Sequence, residues 1–98
     1  MNDRALSLIG IARRANAVAI GRTAARRWLK RGKLLILAED LSERVKNDWR
    51  KVAHDFRIDV IERWTMRELG DALGRPKPVG IVLITDPGLA REIKRLSG

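Results

Sequence analysis

The chain has no cysteine, one histidine, one phenylalanine and three tryptophans among its 98 residues. Without cysteine there is no disulfide, no zinc knuckle and no thiol nucleophile. The lone histidine, His54, falls on the solvent side of a helical pattern and reads as a solvated residue rather than a general base. Gly21, Gly32, Gly74 and Gly80 lack the spacing of a phosphate-binding loop. No apolar run approaches the ~18 residues that a membrane-spanning helix requires. Arg13 and Arg14 break the apolar stretch that a signal peptide would need. These absences point away from an enzyme, a resident metal or cofactor, a small-molecule substrate and a membrane protein, and toward the cytoplasm.

Acidic residues are also absent from Arg4 to Lys33, a stretch with nine basic ones: Arg4, Arg13, Arg14, Arg22, Arg26, Arg27, Lys30, Arg31 and Lys33. From Leu34 onward, twelve basic residues face eleven acidic ones, so nearly all of the net charge of +9 belongs to the first third. Charge concentrated in this way creates a local positive potential that a polyanion can read, and RNA is the first partner to consider. A solvated arginine-rich helix face is the plainer alternative. The chain is 45% hydrophobic and 34% charged, too apolar for a disordered basic tail. Its length fits one domain, residues 1–98, taken here as a monomer.

Hydrophobic periodicity predicts alternating helices and strands. Asn2 or Asp3 can cap a first helix whose apolar positions are Ala5, Leu8, Ile9, Ala12 and Ala15, with close packing at Gly10 and an end at Asn16. A short strand, Ala17–Ile20, stops at Gly21. A second helix runs from about Thr23 to Arg31, with Gly32 as terminator. On its wheel Ala24, Ala25, Trp28 and Leu29 share the buried arc, and Arg22, Arg26, Arg27, Lys30 and Arg31 share the opposite one. Trp28 is thereby assigned to the core rather than to stacking.

Leu34–Ala38 reads as a strand buried on both faces. Glu39 and Asp40 stand at the entry to a third helix capped by Ser42. That helix is expected to bury Val45, Trp49, Val52, Ala53 and Phe56 and to turn Lys46, Arg50, Lys51, His54 and Asp55 outward. Ile58, Val60 and Ile61 form a third strand, and Trp64, at the junction that follows, is assigned to covering the sheet edge. Thr65 and Glu68 form a capping box for a short helix that ends at Gly74. The loop Arg75–Pro78 leads into a central strand, Val79–Thr85. Asp86 then caps a last helix with Pro87 at its first position. This alternation means an α/β fold of five helices around four strands, with Leu34–Ala38 and Val79–Thr85 inside the sheet.

Three segments, LIGIARRANAVAIG (Leu8–Gly21), LLILAED (Leu34–Asp40) and RELGDALGRPKPVGIVLITDPG (Arg67–Gly88), together resemble the archaeal and eukaryotic large-subunit ribosomal proteins that bind kink-turn RNA, and most of all their small bacterial YlxQ-like branch. The likeness extends over nearly the whole chain. It implies a three-layer α/β/α sandwich with a mixed four-stranded sheet, and non-catalytic binding of structured RNA, ribosomal RNA among the possibilities. It also implies two contact surfaces. One is the start of the second helix, where the family pattern is Gly-x-Asn-Glu followed by a basic residue one turn later. Here Gly21 matches the glycine, Thr23 and Ala24 replace the Asn and Glu, and Arg27 stands at the basic position. The other is the loop before the last strand, where Lys77-Pro78 matches the family's Arg-Pro pair and Val79 follows. The replacements remove groups suited to a sheared G·A pair, at about 1–3 kcal/mol each. Arg22, Arg26, Arg27 and Lys30 are left to hold phosphates, which position an RNA without specifying it, and the Arg75–Val79 loop closes the other side. A protein-interaction adaptor, using the third helix or the edge of the C-terminal strand, is the alternative on the same fold.

Overall fold

The computed structural model describes residues 3–97. The described elements are α1 (Arg4–Arg14), β1 (Val18–Ile20), α2 (Arg22–Arg27), a 3-10 turn (Leu29–Arg31), β2 (Leu34–Leu37), α3 (Glu43–Asp55), β3 (Asp59–Glu62), α4 (Met66–Ala72), β4 (Ile81–Ile84) and α5 (Pro87–Ser97). The strands form one mixed sheet in the order β1-β4-β2-β3, with β2 and β3 parallel and the other pairs antiparallel. The two unbroken apolar runs thus occupy the interior positions, since only there do both faces of a strand need apolar cover.

Alternation along these strands divides the core into two layers. Leu34, Ile36, Val82 and Ile84 pack with Ile9, Leu69, Leu73 and Ile93 from α1, α4 and α5. Leu35, Leu37, Ile81 and Leu83 pack with Ala25, Leu29, Trp49 and Ala53 from the α2 and α3 side. The result is the three-layer sandwich, with α2 and α3 on one face of the sheet. At Gly10 the helices α1 and α4 approach so closely that an added Cβ would lie 2.9 Å from the Ala72 carbonyl oxygen.

The caps fix where elements start and stop. Asp3 Oδ1 accepts the Leu6 N–H at 3.0 Å, so Asp3 caps α1; Asn2 lies outside the described residues. Thr65 and Glu68 form the capping box of α4. Asp40 also serves α4, accepting the Met66 N–H at 2.9 Å, instead of serving the entry to α3. Trp64 is buried, with φ +67°, and donates its indole N–H to Asp3 Oδ2 at 2.6 Å.

Several side chains depart from the helical-wheel expectation. Phe56 is 44% exposed because α3 ends at Asp55 and the chain turns back at Arg57; Ile58 takes the core place instead. Ala15 is exposed for the same reason at the end of α1. Lys46 is 9% exposed although it was expected to face outward. It lies one turn from Arg50 on the side of α3 that meets edge strand β3. There Arg50 grips Glu62 with two 2.5 Å hydrogen bonds and Lys46 Nζ lies 3.7 Å from Glu43 Oε1. The buried aliphatic stem ends in a compensated charge. Trp28 is 43% exposed, against its assignment to the core.

The reason for Trp28 is local. The α-helix stops at Arg27 and the chain tightens into the 3-10 turn, so the wheel phase slips after Trp28 and Leu29 becomes the buried residue. Gly32 explains the tightening. A Cβ there would sit 2.6 Å from Leu83 Cδ1 and 2.9 Å from Ile58 Cδ1, so the backbone itself lies against the sheet.

Candidate nucleic-acid interface

The two segments singled out in the sequence meet at one end of the sheet. β1 runs into Gly21, whose N–H donates to the Ile81 carbonyl at 2.8 Å, at the point where the loop after α4 enters β4. The start of α2 is therefore bonded to the first residue of β4, three residues beyond Pro78 of the loop. Gly21 has φ +87° and ψ 168°, a region open essentially only to glycine. A Cβ there would meet nothing within 4 Å, so conformation and not crowding requires glycine, and the space above it is open.

The loop is held in place by a second glycine. At Gly70 an added Cβ would lie 2.6 Å from the Lys77 carbonyl oxygen, so α4 carries the loop backbone directly on its surface. Arg75 N–H donates to the Gly70 carbonyl at 2.8 Å, and Val79 N–H to that of Met66 at 2.9 Å. Arg75, Pro76, Lys77 and Pro78 are exposed around a groove of about 370 Å³ shared with Arg67 and Asp71 of α4. The Val79 side chain is buried, so the outward-facing part of the loop ends at Pro78.

From Gly21 the chain continues along a cationic ridge. Arg22, Arg26, Arg27, Lys30, Arg31 and Lys33 are all exposed, and none forms an ion pair with a carboxylate among the described residues. Elsewhere Lys46, Arg50, Arg63, Lys94 and Arg95 are paired. Arg26 differs from its neighbours: its guanidinium lies 4.8 Å from the centroid of the buried Trp49 ring, which ties it to α3. Thr23 is exposed and Ala24 half-buried against the second core layer. α2 is only six residues long, so its dipole is small, and side-chain charge dominates the field here.

The nine basic residues of the first third do not form one patch. Arg4, Arg13 and Arg14 are on α1, across the sheet from α2. Arg13 instead reaches the loop side, its Nη1 3.7 Å from where a Gly74 Cβ would be. Sequence reasoning missed Trp28 as an exposed side chain. Gly32 marks where the helical segment ends but not the 3-10 turn before it, which is what turns Trp28 outward.

A two-layered helical cover on a β1-β4-β2-β3 sheet, with this loop beside the start of α2, places the chain among known proteins. Residues 3–94 match the Ribosomal protein L7Ae/L30e/S12e/Gadd45 family, and the chain belongs to that family. The RNA-binding protein YlxQ of Enterococcus faecium is 30% identical over 97 residues, covering 96% of this chain and 91% of that protein. The large ribosomal subunit protein eL30 of Methanothermobacter thermautotrophicus is 39% identical over 61 residues, 61% of this chain and 62% of its own length. Among solved structures, a protein with unknown function from Bacillus halodurans C superposes with a TM-score of 0.90 at 24% identity, over 97% of both chains. The Giardia lamblia 15.5kD RNA binding protein does so with a TM-score of 0.77 at 17% identity, over 99% of this chain and 91% of that one. At these identities the structural likenesses speak for the fold. No described helix is long and apolar enough to cross a membrane.

Proposed function

We propose that this protein binds structured RNA without catalysing a reaction on it, as a single-domain cytoplasmic monomer with ribosomal RNA among the candidate partners. The RNA contacts Gly21, Arg22, Thr23, Arg27 and Lys30 on one side and Arg75, Lys77 and Pro78 on the other. The observation that carries the reading is the unpaired cationic ridge beginning at an open glycine that is hydrogen-bonded to the start of β4 beside the loop. Family membership supports it, as do the relatives: YlxQ and the Giardia protein are RNA-binding proteins and eL30 is a ribosomal protein. Phosphate contacts dominate, because Thr23 keeps one hydroxyl and Ala24 no polar group where base-reading side chains would stand. The adaptor alternative has less support, since β4 is paired on both edges and the apolar face of α3 is packed on the sheet.

The test compares three proteins on a kink-turn RNA and a plain duplex at one salt concentration. Arg22→Ala with Arg27→Ala removes two phosphate donors and should weaken both RNAs alike, by roughly ten- to a hundredfold. Arg26 is left alone because of its contact with Trp49. Thr23→Asn with Ala24→Glu should raise the kink-turn-to-duplex ratio, since each base-edge contact contributes ~1–3 kcal/mol. An arginine pair that can be removed without effect, or a ratio unchanged by the restored pair, would place the RNA elsewhere.

A further inference from the structure

We propose that Trp28 is a stacking platform for one unpaired base of the bound RNA, forming a second subsite at the opposite end of β1 from Gly21. The inference rests on the RNA-binding reading above and adds to it a site for single-stranded RNA. Of the three tryptophans, Trp49 and Trp64 are buried, at 3% and 4% exposure, while Trp28 is 43% exposed. It forms the C-cap of α2 and lines a cavity of about 250 Å³ with Asn16, Val18, Arg31 and Thr85.

The location follows from topology. Gly21 and Ile81 mark one end of the β1-β4 pair, whereas Ala17 and Thr85, joined by a 2.9 Å hydrogen bond, mark the other. α2 returns from the first end toward the second, so Trp28 lies beyond the far end of the helix, roughly 9 Å along it from Arg22 at 1.5 Å per residue. A strand leaving the Gly21 end along this ridge passes Arg27 and Lys30 on its way to Trp28.

The chemistry of the cavity fits a nucleobase. The indole offers a flat apolar face, and stacking on an aromatic ring accepts any base. Arg31 lies over one face of the ring, its guanidinium 5.6 Å from the centroid, so a base takes the other face or displaces the arginine, whose charge is placed to bind the adjoining phosphate. Asn16 and Thr85 supply an amide and a hydroxyl at the rim, both able to bond a base edge. Lys30 and Lys33 are exposed nearby in sequence, with no acidic residue from Gly21 to Lys33. That sign of charge favours a polyanion as the occupant.

The experiment uses one structured RNA made in two forms, blunt and with a short single-stranded adenosine extension. Affinity and tryptophan fluorescence are measured for the full chain and for Trp28→Leu and Trp28→Phe, whose folding is checked by thermal denaturation. The expected result is quenching of the wild-type emission by the extended RNA and not by the blunt one. Trp28→Leu should lose roughly tenfold in affinity for the extended RNA alone, and Trp28→Phe should keep most of it. If both RNAs bind the wild type and Trp28→Leu leaves their affinity ratio unchanged, the subsite is refuted and the main interface stands. If the wild type binds neither RNA, the RNA-binding reading falls, and this subsite falls with it.

Discussion

Asp3 shows how much one residue can organise in this molecule. Its Oδ1 caps α1 through the Leu6 N–H, and its Oδ2 accepts the indole N–H of Trp64 from across the fold, with Arg63 Nη2 at 3.9 Å. The Trp64 hydrogen bond is the main reason its carboxyl is held below the ordinary aspartate range; burial opposes it, and the backbone N–H of Leu6 and the Arg63 charge add smaller contributions in the lowering direction. A lowered folded-state value means that the carboxylate's stabilisation is complete above the unfolded aspartate value, near pH 4, and fades as pH falls through the folded value. Glu62 behaves likewise because of its hydrogen bonds to Arg50, so the Asp3 contribution must be read as a difference between variants. Asp3→Ala should cost about 2 kcal/mol at neutral pH, through the lost cap and the orphaned indole N–H. The gap between wild type and variant in chemical denaturation should narrow as pH drops below about 4. A gap that stayed constant down to pH 2 would mean the carboxylate's charge is not what matters.

Among the elements, helix ends decided which side chains the sequence made legible. α1, α3 and α4 all finish with the same pair of backbone bonds, illustrated by Ala17 to Ala12 at 2.8 Å and Asn16 to Arg13 at 3.0 Å. Each needs a left-handed residue just beyond the cap: Asn16 (φ +57°), Arg57 (φ +56°) and Gly74 (φ +65°). Asn16 and Gly74 announce that role in the sequence. Arg57 does not, so the apolar wheel of α3 runs on through Phe56, one residue past the last helical position. Trp28 failed in the same way, where α2 gives way to the 3-10 turn. Patterns within an element are legible in the sequence, including the two interior strands, the capping box and the glycine before α2. Arg57→Gly should relieve the left-handed strain and raise stability by about 0.5–1 kcal/mol after the flexibility it adds to the unfolded chain. Thermal denaturation reads this directly; a lower midpoint for the variant would show that the arginine side chain contributes more than its backbone costs.

For the whole molecule, a run of charge in the sequence became two separate features. The sheet divides the basic first third: α1 carries three of its arginines to one layer, and the segment from Arg22 to Lys33 carries six cations along the other. No count of residues along the chain could show that split, because it depends on which face of the sheet each helix covers. The sequence did show the meeting of Gly21 with the loop before β4, but only through family resemblance, since more than fifty residues separate them. Local pattern has no means of pairing such distant segments.

The salt dependence of RNA affinity tests the central claim most directly. If the ridge beside Gly21 and the loop Arg75–Pro78 together meet about four to six phosphates, a log–log plot of affinity against salt should have a slope of roughly −3 to −5. Arg22→Ala with Arg27→Ala should flatten that slope by roughly 1.4, about 0.7 for each lost phosphate contact. A slope near zero for the wild type, or a steep slope that the double substitution leaves unchanged, would contradict the account.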